Sequence, residues 1–166
     1  TDTREKMELL PEWMQKALLQ AMPQIEKPRR QGQIYERNCS AIPIATALAQ
    51  SWNPDVCTEC GHIVAREMEY FGIQIWLAPS MNIQRNPLCG RNFEYYSEDP
   101  LLSGKMAAAM TRGVESHKGL AVTIKHFICN NQETNRFYSN SVVNERALRD
   151  IYARVFEIVV KEAAPG

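Results

Sequence analysis

The run NPDVCTECGHIVAREMEYFGIQIWLAP, residues 53–79, decides the fold class. Asn53 is a helix-capping residue type, and Pro54 follows at the first helical position, where a missing N–H leaves no bond unmade. Val56, Cys60, Ile63, Val64, Met68 and Phe71 then recur at steps of three and four, so the spacing predicts an amphipathic helix to about Phe71. Gly72 supplies the stop. Residues 73–78 are short, apolar and partly β-branched, as a strand covered on both faces should be, and Pro79 ends them.

The same unit repeats downstream. Asp99-Pro100 is a second cap-plus-proline pair and predicts a helix to about Ser116, after which residues 120–127 read as an apolar strand with Lys125 and His126 at its end. Residues 143–163 place Ala147, Leu148, Ile151, Tyr152, Val155, Ile158 and Val159 on one face of a last helix, with Pro165-Gly166 behind it. Upstream, the apolar run 41–49 opens the series, which becomes strand, helix, strand, helix, strand, helix.

Such alternation implies a parallel sheet with right-handed crossovers, in either an open doubly wound sheet or part of a barrel. The loops favour the barrel. Residues 79–99 and 128–141 are long and polar, whereas the joint at Phe71-Gly72 is tight, as in barrels whose sites lie at strand carboxyl ends. The expected fold class is α/β, a partial (β/α) barrel of TIM type. Phe93, Tyr95 and Tyr96 argue that the first long loop is ordered. No Gly-x-Gly-x-x-Gly or phosphate loop occurs, which lowers a nucleotide-binding reading.

Composition sets broad limits. The 166 residues are 45% hydrophobic and 23% charged, an ordinary globular balance. Nineteen basic and nineteen acidic residues give net charge +0, so no global field draws the chain to nucleic acid or to an anionic membrane. No stretch is long and apolar enough for a membrane span, and no charged-then-apolar leader opens the chain. Five cysteines, odd in number and scattered, fit a reducing cytoplasm. Cys57-x-x-Cys60 sits inside a helical pattern without a second ligand pair at zinc-finger spacing. His62 and His117 fall away from the long loops and read as structural. Residues 1–38 differ from the rest, polar and proline-punctuated, and read as a variable excursion with a short helix between Pro11 and Pro23; the regular domain is 39–166.

Two segments carry the chemistry: NIQRNPLCGRNFEYYSEDP, residues 82–100, and KHFICNNQETNR, residues 125–136. Read on their own, Lys125-His126 could be a strand-end cation beside a core histidine, Arg91 a loop salt bridge to Glu94 or Glu98, and Arg136 a solvated loop charge. Both segments, however, resemble the signature stretches of glycoside hydrolase family 3 β-glucosidases, in the same order and at a similar separation. The flanking AIPIATALAQSWNPD, residues 41–55, and NERALRDIYARVFEIVVKEA, residues 144–163, are also similar to that family.

The resemblance implies an internal part of the family's N-terminal catalytic barrel. It implies that Arg91, Lys125, His126 and Arg136 contact the sugar in the innermost subsite, a role that suits fixed charged donors facing neutral hydroxyls. Adjacent strand residues point to opposite faces, so Lys125 and His126 can serve one ligand only if the strand is distorted there. Retaining glycosidases need a carboxylate nucleophile and a carboxyl acid/base. The family's nucleophile is an Asp in a Ser-Asp-Trp-like run, which this chain does not contain, and its acid/base comes from another part of the fold. The family's Asp-Gly-Pro segment is absent as well. No catalytic residue is therefore expected among these 166; Asp99 reads as a helix cap and Glu133 as the orienter of a neighbouring cation.

The implied activity of the parent enzyme is retaining, exo-acting hydrolysis of terminal non-reducing β-D-glucosyl residues, this piece supplying sugar contacts. A β-xylosidase or arabinosidase of the same family is the alternative, as is a non-catalytic carbohydrate-binding fragment. An N-acetylglucosaminidase fits less well, because that branch carries Lys-His-Phe-Pro-Gly-His-Gly where this chain runs on from Phe127 into Ile-Cys-Asn-Asn. The expected partners are a small-molecule β-glucoside or oligosaccharide and the remaining segments of the parent enzyme, with no metal and no cofactor.

Overall fold

Helix α2 forms where its cap and stop residues place it. It spans Pro54–Phe71 in the computed structural model, which describes residues 38–166; the short helix expected between Pro11 and Pro23 lies outside the described residues. The Asn53 side chain accepts a hydrogen bond from the Asp55 N–H at 2.9 Å, and Gly72 closes the helix in the left-handed region at φ 68°. Helix α3, Pro100–Glu115, starts in the same way, with the Asp99 carboxylate accepting from the Leu102 N–H at 2.7 Å. Asp99 is thus the cap that its position before Pro100 predicts.

Strand β1, Ile75–Trp76, pairs in parallel with β2, Ala121–Val122, and α3 is part of the crossover between them. Ser80 and Lys125 form an isolated parallel bridge farther along the same pair. Both strands are shorter than the apolar runs that hold them. A ladder extends only where a neighbour supplies its partners, and each strand has a single neighbour among the described residues. The expected cover on both faces of β1 is missing for the same reason: Ile75 is 61% and Leu77 66% exposed.

The opening run corrects the expected order. In place of a first strand, Ala45–Gln50 is a helix, α1, with Leu48 and Ala49 buried. A short apolar run carries no periodicity to separate strand from helix. Its partner decides: the Thr46 hydroxyl bonds the carbonyls of Asn92 and Tyr95, 3.2 and 2.8 Å away, fastening α1 under the first long loop. The last helical stretch begins with α4, Glu145–Ala147, capped by Asn144, passes through a π-helical turn, Leu148–Tyr152, and continues as α5, Ala153–Ala163.

Helix α3 lies in the middle of this packing, with Met106–Met110 and Val114 all buried. On one side, α2 crosses it at backbone contact: a Cβ at Gly113 would stand 2.3 Å from the Thr58 carbonyl oxygen, and one at Gly61 2.6 Å from that of Met110. On the other, Ile158 of α5 fills the place a side chain at Gly104 would take, at 2.8 Å. Val155 and Val159, both fully buried, contribute about 1.5–3 kcal/mol each by leaving water.

Candidate functional site

Because β1 and β2 run parallel, the two long loops leave the sheet on the same side. Their roots are tied together. The Met81 N–H donates to the Lys125 carbonyl at 2.7 Å and the Lys125 N–H to that of Pro79 at 3.1 Å. Asn82, only 3% exposed, adds a two-way clasp: its amide nitrogen donates to the His126 carbonyl and its amide oxygen accepts from the His126 N–H, both at 2.8 Å. That oxygen also lies 3.2 Å from His126 Nδ1. An amide oxygen can only accept, so the neutral imidazole carries its proton on Nδ1 and leaves Nε2 as the nitrogen for a ligand.

Regular alternation would send Lys125 and His126 to opposite faces. Lys125 Nζ lies 3.9 Å from Glu94, and the His126 ring meets Tyr95 edge to face, with centroids 6.2 Å apart. Both side chains therefore serve the same loop cluster.

Glu94 is the centre of that cluster. A 3-10 turn, Asn92–Glu94, sets Arg91 and Glu94 three residues apart, so the guanidinium forks onto the carboxylate through Nε and, at 2.9 Å, Nη2. The Ser80 hydroxyl donates to the same carboxylate at 2.8 Å. The Gln84 side chain holds the turn, donating to the carbonyls of Asn92 and Tyr95 at 3.0 and 2.9 Å and to the Thr46 hydroxyl at 2.8 Å. Burial alone would raise the Glu94 pKa, but the bonds from Arg91 and Ser80 and the charges of Arg91 and Lys125 outweigh it and hold the carboxyl below its ordinary value. The Arg91 pKa is raised, chiefly by its bond to Glu94. His126 is shifted down, by burial first and then by the charges of Arg91 and Lys125. The cluster thus sets the cationic side chains of Arg91 and Lys125 beside an imidazole whose charged form is disfavoured.

A relay connects Arg136. Burial pushes the Tyr95 phenol up to about 12, so it stays protonated, and its oxygen accepts from the Asn130 amide at 2.8 Å. Asn130 also donates to Glu133 at 2.9 Å, and Glu133 accepts from Arg136 at 2.7 Å. The Arg136 guanidinium lies 4.9 Å from the Phe137 ring centroid. Glu133 thus orients a cation, as expected from its position. Arg91, Lys125 and His126 share one half-buried cluster, whereas Arg136 stands at its more open edge, with 40% of its side chain exposed.

Of the two acidic partners open to Arg91, the structure selects Glu94; Glu98 is exposed. The residues missed from the sequence are Ser80, Asn82 and Asn130, which position the cations. Asn82 and Asn130 lie inside the two quoted segments, but short polar side chains are also ordinary loop residues, so type alone did not mark them. Chemically, the cluster offers charged donors and an imidazole to a polar, uncharged ligand. Both of its carboxylates, Glu94 and Glu133, are bound to arginines.

Comparison with known proteins identifies the family and the fold. The model of the glycosyl hydrolase family 3 N terminal domain matches residues 10–165. Beta-glucosidase A of Butyrivibrio fibrisolvens is 54% identical over 127 residues, 76% of this chain and 15% of that protein. An exo-alpha-(1->6)-L-arabinopyranosidase of Bifidobacterium longum is 44% identical over 76% of this chain and 16% of its own length. Beta-glucosidase 3B from Thermotoga neapolitana, solved in complex with glucose, superposes with a TM-score of 0.78 at 50% identity, covering 84% of this chain and 19% of that one. This chain spans under a fifth of each. It belongs to glycosyl hydrolase family 3, as part of the N-terminal domain, a (β/α) barrel of TIM type.

Proposed function

We propose that the parent protein is a retaining, exo-acting β-glucosidase and that this chain supplies much of the grip on its innermost sugar. The observation that carries the reading is the meeting of Arg91 and Lys125 on Glu94 beside His126, in a chain 50% identical to a β-glucosidase solved with glucose. A pyranose presents several hydroxyls within a few ångströms, and fixed N–H donors in a partly desolvated cleft bind such a set well. Bonds that tighten as the ring flattens would lower the barrier rather than merely improve affinity. Neither engaged carboxylate is assigned a catalytic role; the nucleophile and acid/base belong to other parts of the parent.

An arabinosidase is the second reading, favoured by the 44% identity to the Bifidobacterium enzyme. Hydrolysis of aryl β-D-glucopyranoside against aryl α-L-arabinopyranoside by the complete parent protein decides between them. A higher kcat/KM on the glucoside supports the first, and the reverse order overturns it. We further place the protein in a reducing compartment, the cytoplasm: all five cysteines are free thiols. Fractionation of the source cells tests that placement, and recovery outside the cytoplasm would overturn it.

A further inference from the structure

We propose that His62 and His117 form a surface site for a divalent transition-metal ion of the class of Zn2+, bridging α2 and the turn between α3 and β2. Glu69 and His117 lie shortly before β1 and β2, so the pair stands at the amino ends of the strands, opposite the long loops. The two imidazoles have ring centroids 5.7 Å apart, inclined at 51°.

Hydrogen bonds fix which nitrogen each ring leaves open. His117 Nδ1 is 3.0 Å from the Glu69 carboxylate, which accepts only, so Nδ1 carries the proton and Nε2 of the neutral ring keeps its lone pair. The Ser116 hydroxyl gives its single proton to the Gly113 carbonyl at 2.8 Å, and can therefore only accept from His62 Nδ1, 3.3 Å away. His62, too, is left with a bare Nε2. Protein metal sites prepare their histidines in this way: an acceptor, usually a carboxylate, backbone carbonyl or water, takes the other ring N–H, setting the tautomer and raising the basicity of the ligating nitrogen.

The spacing fits a shared ion. With Zn–N bonds of about 2.0–2.1 Å, two imidazoles on one tetrahedral ion have centroids about 5 Å apart, close to the 5.7 Å between these rings. The scaffold beneath is fixed. Gly61 and Gly113 hold α2 and α3 at backbone contact, one residue from His62 and three from Ser116. Both rings are partly exposed, so an ion can reach them. Among the described residues no group of three His, Cys, Asp or Glu is gathered as a metal cage. The protein therefore supplies two nitrogens, and water completes the shell.

Calorimetric titration of Zn2+ into the complete parent protein, kept reduced with a phosphine, tests the site. The wild type is expected to bind one ion that the folded double variant His62→Ala/His117→Ala does not bind, while activity is unchanged. Glu69→Gln keeps both rings and should weaken binding about 10- to 100-fold, the usual effect of losing a carboxylate behind a ligating histidine. Zn2+ should also raise the melting temperature of the wild type more than that of Glu69→Gln. Equal stoichiometry and affinity in wild type and double variant would overturn the proposal. So would the absence of binding to folded wild type, or Glu69→Gln affinity within twofold of wild type.

Discussion

Glu94→Gln removes the anion on which Arg91 and Lys125 meet while keeping its shape. Arg91 loses one of two charge-assisted acceptors, a bond to a charged group worth about 1.5–3 kcal/mol. A glutamine oxygen in the place of Oε2 still accepts from both Arg91 Nη2 and Ser80, which returns part of that. Lys125, 3.9 Å away, contributes through charge alone and adds little. The balance is about 2 kcal/mol of lost ordering in side chains only 20–26% exposed, which corresponds to roughly a thirtyfold lower kcat/KM for the parent enzyme on an aryl β-glucoside. Acid stability gives a second readout. The Glu94 pKa is below its ordinary 4.5 in the folded chain, so the folded state holds fewer protons there than the unfolded one. Its contribution is present above pH 4.5 and is lost as pH falls through the lower folded value. Wild type should therefore lose stability across that window more steeply than Glu94→Gln. Activity within twofold of wild type together with an unchanged acid limb would refute the role given to Glu94.

Three further outcomes are expected. Lys125→Met in the complete enzyme should cut catalytic efficiency at least about tenfold without unfolding it, and a substrate lacking the contacted hydroxyl should lose little more when the lysine is also removed; equal losses on both substrates would deny the contact. Gly113→Ala should lower the melting temperature, because its Cβ would stand 2.3 Å from the Thr58 carbonyl and push α2 off α3, at a cost of at least about 1–3 kcal/mol; an unchanged melt would show that the helices shift freely. The 166-residue chain alone should not hydrolyse chromogenic β-glucosides, and turnover abolished by changing Glu94 or Glu133 would move catalysis into this chain.

The bounds of α2 and α3 were legible because caps and stops are local: Asn53, Pro54, Gly72, Asp99 and Pro100 each act within a few residues. The extent of β1 and β2 was not, since a ladder depends on neighbours distant in sequence. Helix α1 was hidden in an apolar run without a period, and only Thr46 meeting the carbonyls of Asn92 and Tyr95 shows what it packs under. At the site, the charged residues stood out by type and resemblance. Their arrangement did not: that Glu94 rather than Glu98 takes Arg91 depends on the 3-10 turn, and the His126 tautomer depends on Asn82, 44 positions away.

A crystal structure of the complete parent protein with glucose bound tests the sugar contacts most directly. Hydrogen bonds to sugar hydroxyls are expected from Arg91, Lys125 and His126 Nε2, with Arg136 at the rim and Glu94 still bound to Arg91. A glucose held in the active cleft beyond reach of Arg91 and Lys125 would contradict that expectation.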